Sequence, residues 1–160
     1  MAEYRVVVKK VPDVGGLGVR EKLDGPGKIG ELLCDGFAGL AKVGAVVGGA
    51  PVAVYHDPEF CADCIDVEIV FPVPAWVRGP LATPGGRTLE PRTVPGGEVA
   101  VILHVGVYET IGESYQILAD WMGEYGYRAG GPPRELYVRL PWDPGPAVTE
   151  VRQPVDRVTG

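Results

Sequence analysis

The tripeptide Ile29-Gly30-Glu31 recurs as Ile111-Gly112-Glu113, and the offset of 82 positions between the two copies organises the whole chain. Glycine and proline are abundant (24 and 16 of 160 residues), so the repeat rests mainly on this tripeptide, on two tyrosines and on two Glu-x3-Pro-Val segments. A gapless match predicts two copies of one folding unit. The other pairs at this offset are Arg5/Arg87, Gly15/Gly97, Val19/Val101, Gly44/Gly126, Gly48-Gly49-x-Pro51/Gly130-Gly131-x-Pro133, Tyr55/Tyr137, Glu68/Glu150 and Pro72-Val73/Pro154-Val155.

The composition is that of one compact domain. A chain of 160 residues, 46% apolar and 22% charged, is long enough to bury a core. Its net charge of −6 argues against direct DNA binding, which needs clustered cations. There is neither an apolar run of about 18 residues nor a signal peptide, and three cysteines do not make a secreted disulfide framework. We therefore expect a cytoplasmic protein with no membrane association.

Each copy has the pattern of two strands, one helix and two further strands. The first helix is indicated by the spacing of Ile29, Leu33, Phe37 and Leu40, and the second begins at a capping box, Thr110-x-x-Glu113. Glycines inside the first helix predict that it lies close to a sheet. The predicted strands are residues 4–11, 17–22, 52–56 and 66–73 in the first copy, and 87–94, 98–105, 135–140 and 146–155 in the second. The predicted helices run from Ile29 to Leu40 and from Ile111 to Tyr125, the second ending at Gly126; Ile111, Tyr115, Leu118, Met122 and Tyr125 form its apolar face.

These patterns predict an α+β fold. One helix cannot cover both faces of four strands, so two units side by side are expected to form one antiparallel sheet with two helices and a central cleft. We expect a single domain over residues 1–160, with one copy at 4–73, a connector at 74–86 and the second copy at 87–155. A ligand is expected in the cleft.

Five motifs in order span most of the chain. They are Pro51-Val-Ala-Val-Tyr55-His-Asp57-Pro58, Asp66-Val67-Glu68-Ile69-x2-Pro72-Val73, His104-Val-Gly106-Val-Tyr108-Glu109 with the helix Tyr115-x2-Leu118-x2-Trp121, Pro133-Arg134-Glu135-Leu136-Tyr137-Val138, and Glu150-Val-x2-Pro154-Val155. From about Val6 to Val155 the sequence resembles the GyrI-like small-molecule-binding domains. The resemblance implies strand–helix–strand–strand units around a central pocket.

The same resemblance implies a function. Such domains are effector-binding portions of MerR-type and AraC-type regulators, or stand alone. No segment is left over for a helix-turn-helix, so a standalone member is expected. Standalone relatives confer drug resistance by sequestering xenobiotics, and one subgroup hydrolyses cyclopropane-bearing DNA alkylators inside an aromatic cage.

Carboxylates are the first candidate site residues. Glu135 and Tyr137 are two apart in one predicted strand and therefore share a face, and the resemblance implies that this acid meets cationic ligands in the pocket. Alternation in residues 67–71 separates Glu68 from its apolar neighbours, so it faces either the cleft or solvent. For its repeat partner Glu150 a structural role is favoured.

Aromatic residues are the second group. Flat ligands are bound by rigid aromatic surfaces, but aromatics also fill ordinary cores, and the core is the preferred assignment for Tyr115 and Tyr125. Trp76 and Trp142, in Pro/Gly-rich loops, indicate a pocket rim or a homodimer contact. His104 is a candidate base at a junction where histidines are more often structural. The candidate ligand contacts are Glu135, Tyr137, Tyr55, Glu68, Tyr108, Trp121, Trp76, Trp142, Phe71 and His104.

Metal and cofactor sites are not expected. Cys61 and Cys64 have the spacing of zinc ligands, but only His56 and His104 are available to complete a set of four. Cys34, on the first helix, is predicted to be a buried thiol.

Three functions follow. The first is capture of a hydrophobic, aromatic or cationic small molecule. The second is a hydrolase in which Glu135 or Glu68 orients a water for direct attack, since no Ser–His or Cys–His pair is evident. The third is a gyrase-binding interaction module. The residues expected to select the ligand break the repeat symmetry: Glu135 aligns with Ala53, Tyr108 with Pro26 and Trp121 with Gly39.

Overall fold

The computed structural model describes residues 5–25, 27–57 and 64–158. Tyr4, Pro26, Pro58 and Cys61, which enter the predictions above, lie outside these residues. The elements in chain order are β1 (Val7–Val11), β2 (Val14–Leu23), α1 (Lys28–Lys42), β3 (Val52–Tyr55), β4 (Ile65–Phe71), β5 (Leu81–Ala82), β6 (Thr88–Val94), β7 (Gly97–Val105), a 3-10 turn (Tyr108–Thr110), α2 (Ile111–Tyr125), β8 (Tyr127–Ala129), β9 (Arg134–Arg139) and β10 (Val148–Arg157).

The predicted repeat is present in the order of the elements. The first copy contributes β1-β2-α1-β3-β4 and the second β6-β7-α2-β9-β10. Val52 and Arg134, the first residues of β3 and β9, are 82 positions apart, and the other four element starts agree with this offset to within one residue. Within each of the two compact units described below, the strands of the described chain pair antiparallel, and the α+β class is confirmed. The boundaries of a single domain stay a prediction.

The chain divides into two compact units that do not coincide with the two copies. The central unit is Asp13–Pro95, with strand order β3-β4-β2-β6-β5 and helix α1. The terminal unit combines Met1–Pro12 with Gly96–Gly160, with order β1-β7-β10-β9, β8 paired to β10, and helix α2. Strand β1, the first strand of the first copy, pairs with β7 in the terminal unit. Strand β6, the first strand of the second copy, pairs with β2 in the central unit.

Helix α1 packs closely on the sheet of the central unit. Leu32, Leu33 and Leu40 are buried along one face. A Cβ at Gly36 would collide with the ring of the fully buried Phe71, which confirms the predicted close approach of helix and sheet. A Cβ at Gly30, by contrast, would meet no atom within 4 Å.

Helix α2 differs from the prediction at both ends. Thr110 makes no side-chain cap; its hydroxyl donates instead to the Val107 carbonyl at 3.0 Å, so the predicted capping box is wrong. Thr110 is the last residue of the 3-10 turn, and its φ of −99° and ψ of 4° differ from the extended conformation that a capping residue usually adopts. Gly126 has φ 76° and ends the helix as predicted. Tyr125, assigned to the core, is 59% exposed and lies against Trp121, with ring centroids 5.1 Å apart.

Smaller features also differ. Strands β5 and β8 were not predicted, because two or three residues are too short to show periodicity. Cys34 is an exposed free thiol on α1, so the prediction of a buried thiol is wrong, and Cys64 is disulfide-bonded. In the described part of the chain neither helix has the length and apolarity needed to cross a bilayer.

The contact between α1 and Phe71 gives a stability prediction with an internal control. Gly36→Ala should lower the free energy of unfolding by about 1–3 kcal/mol, because the ring has no space to yield. Gly30→Ala in the same helix should raise it by about 0.5–1 kcal/mol, since alanine favours the helix without a clash. Urea unfolding followed by circular dichroism measures both. Equal effects of the two substitutions would contradict this packing.

Candidate functional site

Strand β9 directs two predicted site residues toward α2. Glu135 is paired with Val151 of β10, and Tyr137 with Thr149. Val151 belongs to a core cluster that also contains Leu118 of α2, so this face of the strand looks toward the helix. Glu135 is 6% and Tyr137 2% exposed. The predicted shared face is therefore present, and it is the buried one.

The carboxylate of Glu135 accepts a hydrogen bond on each oxygen. The Tyr115 hydroxyl donates to Oε2 at 2.6 Å, and the Tyr137 hydroxyl donates to Oε1 at 3.1 Å. Hydrogen bonds to a charged acceptor contribute about 1.5–3 kcal/mol each, which offsets part of the cost of removing the carboxylate from water. Two phenols from two elements thus fix the position of this anion.

Tyr108 completes the group from the 3-10 turn before α2. Its ring centroid lies 5.6 Å from that of Tyr137, with the planes inclined by 48°. Burial, together with the negative charges of Glu135 and Asp143, raises the pKa of Tyr108 to about 12. Among the described residues its buried hydroxyl has no hydrogen-bond partner. We call Tyr108, Tyr115, Glu135 and Tyr137 the tyrosine–carboxylate cluster.

The hydroxyl of Thr149, which is opposite Tyr137 on β10, is also buried and has no partner within the described chain. A buried hydroxyl without a hydrogen bond costs free energy that a ligand or a water molecule restores. The terminal unit therefore presents an anion, aromatic faces and two unused hydroxyls.

The residues of the central unit that correspond through the repeat to Tyr115, Glu135 and Thr149 are all apolar. At the repeat offset, three polar residues of the terminal unit replace three apolar residues that are fully buried. The change occurs in the helix, in the third strand and in the fourth strand of the copy. The pairs are Leu33/Tyr115, Ala53/Glu135 and Val67/Thr149. A position that is dry core in one copy is thus a polar site in the other.

His104 supports this site from a buried position. Its side chain is 2% exposed; Nε2 lies 2.8 Å from the Val107 carbonyl oxygen, and Nδ1 lies 3.1 Å from the Ser114 hydroxyl. Both ring nitrogens therefore form hydrogen bonds with groups at the junction between β7 and α2. The histidine holds the turn that carries Tyr108, in agreement with the structural role considered above.

Glu68 has a different environment in the central unit. Val67, Ile69 and Phe71 are fully buried on the other side of β4, as the alternation predicted. Glu68 instead lies 2.9 Å from Nε2 of His56 and accepts a hydrogen bond from Arg92 at 3.1 Å.

Glu150, the repeat partner of Glu68, forms ion pairs with Lys9 and Arg152. Both repeat-related carboxylates thus take part in networks with cationic groups of the chain itself, or with histidine.

The remaining candidate residues lie in several places. Phe71 packs edge-on against Phe37 in the core, with centroids 5.1 Å apart, and not on the face of Glu68. Trp121 stacks on Tyr127 at 5.2 Å. Tyr55 is partly buried at the end of β3, whereas Trp76 and Trp142 are 63% and 52% exposed in loops.

Sequence reasoning missed Tyr115, because its place on the apolar face of α2 indicated the core. It does pack against the core cluster, but its hydroxyl extends to Glu135. The available signal was a tyrosine where the other copy has leucine, since the hydroxyl needs a partner when buried. No group of three or more His, Cys, Asp and Glu capable of holding a metal occurs in the described part of the chain.

Comparison with known proteins identifies a family and several related folds. The model of the GyrI-like small molecule binding domain matches residues 45–156. The solved C-terminal domain of EcmrR has a TM-score of 0.82 at 21% identity, over 97% of this chain and 99% of that domain. In EcmrR bound to DNA the TM-score is 0.84 at 21% identity, over 97% of this chain, which spans 58% of the EcmrR chain. A search of curated protein sequences finds no match.

Two further structures share the fold. A hydrolase from Listeria innocua has a TM-score of 0.63 at 18% identity, over 95% of this chain and 92% of the hydrolase. A protein bound to tetraphenylphosphonium has a TM-score of 0.51 at 14% identity, over 97% of this chain and 94% of that protein.

The hydrogen bonds of the tyrosine–carboxylate cluster predict opposite results for two tyrosines. Tyr115→Phe should lower the free energy of unfolding by about 1–3 kcal/mol, because a buried carboxylate oxygen loses its donor. Tyr108→Phe should leave it unchanged or raise it, because its hydroxyl makes no bond within the described chain. Denaturant unfolding at pH 7 measures both. Equal losses would show that the Tyr108 hydroxyl has a stabilising partner.

The raised pKa of Tyr108 predicts a pH effect. Between pH of about 10, where an unfolded tyrosine ionises, and about 12, the native state retains a proton that the unfolded chain releases. The free energy of unfolding should therefore fall as the pH rises through this window, and Tyr108→Phe should lessen the fall. Unfolding curves at several pH values, with Tyr125→Phe as the exposed control, measure it. An unchanged pH dependence in Tyr108→Phe would contradict the raised pKa.

Proposed function

The chain belongs to the GyrI-like small-molecule-binding domain family, and from this premise we propose that it captures aromatic or amphipathic organic cations at the tyrosine–carboxylate cluster. Capture would withdraw a toxic compound from its target and so give protection. The observation that carries the proposal is the buried Glu135 carboxylate, held by the Tyr115 and Tyr137 hydroxyls.

The preference for cations follows from the charge and its surroundings. A carboxylate that is 6% exposed lies in a medium of low dielectric, where its attraction for a cation is less screened than in water. The tyrosine hydroxyls already orient it, so little reorganisation is needed on binding. A cation over an aromatic face gains about 0.5–2 kcal/mol more, and Tyr108 and Tyr137 offer such faces.

Tetraphenylphosphonium is a suitable probe for this chemistry. It carries a delocalised positive charge inside four phenyl groups and has no hydrogen-bond donor, so it depends on aromatic contact and on electrostatic attraction. A protein of the same fold is bound to it, at 14% identity to this chain. Because that protein shares the fold, the compound is an appropriate first test of binding to this chain.

A hydrolase is the second candidate, and the Tyr108 hydroxyl is the observation that favours it. This hydroxyl has no partner within the described chain, so it can donate a hydrogen bond to an oxygen that gains negative charge as a bond of the substrate breaks. Glu135 would accept a proton from a water whose oxygen bonds to the electrophilic ring carbon, while the strained C–C bond breaks and its electron pair passes to the conjugated carbonyl oxygen of the substrate. A hydrolase from Listeria innocua shares the fold.

Replacement of one carboxylate tests the binding proposal. Glu135→Gln keeps the shape but removes the charge, and it should weaken tetraphenylphosphonium binding by about tenfold or more, the equivalent of about 1.4 kcal/mol. Isothermal titration calorimetry measures the affinity. Glu113→Gln, an exposed glutamate on α2, is the matched control and should bind as the wild type does. Unaltered affinity in a folded Glu135→Gln protein would overturn the role of this carboxylate.

Product analysis separates the two functions. We expect incubation with a cyclopropane-bearing DNA alkylator to give protection in proportion to the amount of protein, without turnover. Ring-opened product in excess over protein, lost in Tyr108→Phe, would instead establish the hydrolase. Chromatography with mass spectrometry counts the product molecules per protein.

A further inference from the structure

The central unit contains a groove that the tyrosine–carboxylate cluster does not include. It has a volume of about 390 Å³ and is formed by the start of β2, the segment after β4 and one residue of β6. Ligand pockets commonly have volumes of about 300–1,000 Å³, so a small organic molecule fits. All of its lining residues lie within Asp13–Pro95.

The walls of this groove are mostly apolar. Gly15 and Gly16 line it from β2 without side chains, and Val73, Val77 and Pro91 supply hydrocarbon surface. A ligand in this space would gain about 25 cal/mol for each Å² of apolar area withdrawn from water. The walls therefore select an apolar or aromatic body.

Among the described residues that line the groove, the exposed Arg78 is the only charged one. Within residues 5–25, 27–57 and 64–158 it forms no ion pair, although other arginines of the central unit, such as Arg20, Arg87 and Arg92, are each paired with carboxylates. A guanidinium presents several N–H donors in one plane, which match the two oxygens of a carboxylate or sulfonate.

Trp76 is next to the groove in sequence. Its neighbours Ala75 and Val77 both line the groove, while Trp76 itself is 63% exposed in the loop. The indole does not line the groove, but it is adjacent in sequence to two residues that do, so its fluorescence serves as a reporter of a bound ligand that absorbs its emission.

We propose that this groove binds a small amphipathic organic anion, whose apolar or aromatic body lies along Val73, Val77 and Pro91 and whose carboxylate or sulfonate pairs with Arg78. The charge preference is opposite to that proposed for the tyrosine–carboxylate cluster. The chain would then accept two chemical classes at two separate groups of residues.

A pair of matched probes tests charge and shape separately. The anion 8-anilinonaphthalene-1-sulfonate and its uncharged analogue N-phenyl-1-naphthylamine have the same aromatic body. Arg78→Gln should weaken binding of the sulfonate about tenfold, as loss of one charge-assisted hydrogen bond predicts, and should leave the uncharged analogue unaffected. Arg128→Gln, an exposed arginine of β8, is the control and should alter neither.

A second variant fills the groove. Ala75 is exposed and lines it, so Ala75→Phe should remove binding of both probes without loss of the folded state, as checked by circular dichroism. In wild type the sulfonate should quench the indole fluorescence that Trp76→Phe removes. Glu135→Gln should leave sulfonate binding unchanged, so failure of the cation proposal and failure of this one are distinguishable.

Three results would overturn the proposal. The first is sulfonate affinity that is equal in wild type, Arg78→Gln and Ala75→Phe. The second is an equal loss of both probes in Arg78→Gln, which would make the arginine structural. The third is a ligand-free dimer, seen by analytical ultracentrifugation, that Ala75→Phe converts to a monomer, because the groove would then be an interface between copies.

Discussion

The buried carboxylate of Glu135 imposes the strongest physical constraint on the terminal unit. An anion that is 6% exposed is costly unless hydrogen bonds replace its water. Those bonds come from Tyr115 on α2 and Tyr137 on β9. Helix α2 must therefore keep a fixed rotation about its own axis and a fixed distance from β9. His104 fixes the start of α2 through Ser114 and the Val107 carbonyl, and Gly126 ends the helix in a left-handed turn. These contacts position the site.

The two copies differ in what lies between the helix and the sheet. In the central unit Gly36 lets α1 rest directly on Phe71, and Leu33, Ala53 and Val67 exclude water. At the repeat offset the terminal unit has Leu118 in place of Gly36 and Gln153 in place of Phe71. Leu118 belongs to the core of the terminal unit, whereas the Gln153 side chain donates hydrogen bonds to the Gly131 and Pro154 carbonyls. The contact between a glycine and an aromatic ring that brings α1 onto its sheet is therefore absent from the terminal unit.

At these repeat-related positions the two copies therefore differ in the polarity of their buried side chains. Replacement of buried polar groups by apolar ones is often neutral or stabilising, so the apolar residues of the central unit are the more economical solution for folding. The polar residues at the same places in the terminal unit leave two buried hydroxyls without partners in the described chain, at Tyr108 and Thr149. Buried hydroxyls without hydrogen bonds lower the stability of the folded state.

The sequence by itself determined the repeat, the α+β class, most element boundaries and the common face of Glu135 and Tyr137. These features depend on periodicity and on local backbone preferences, which can be seen within a few residues. Sequence patterns did not predict the contacts of Thr110, Tyr125 and Tyr115. A hydroxyl or a ring at a helix surface can form a hydrogen bond with its own turn, lie in water or contact another element, and the local sequence is the same in each case. Only the tertiary structure decided these cases, and only it showed that β1 and β6 pair within the unit of the other copy. Tyr115 is 20 residues from its partner Glu135, and strand pairing links residues more than 70 positions apart, so no local pattern encodes which of these residues meet.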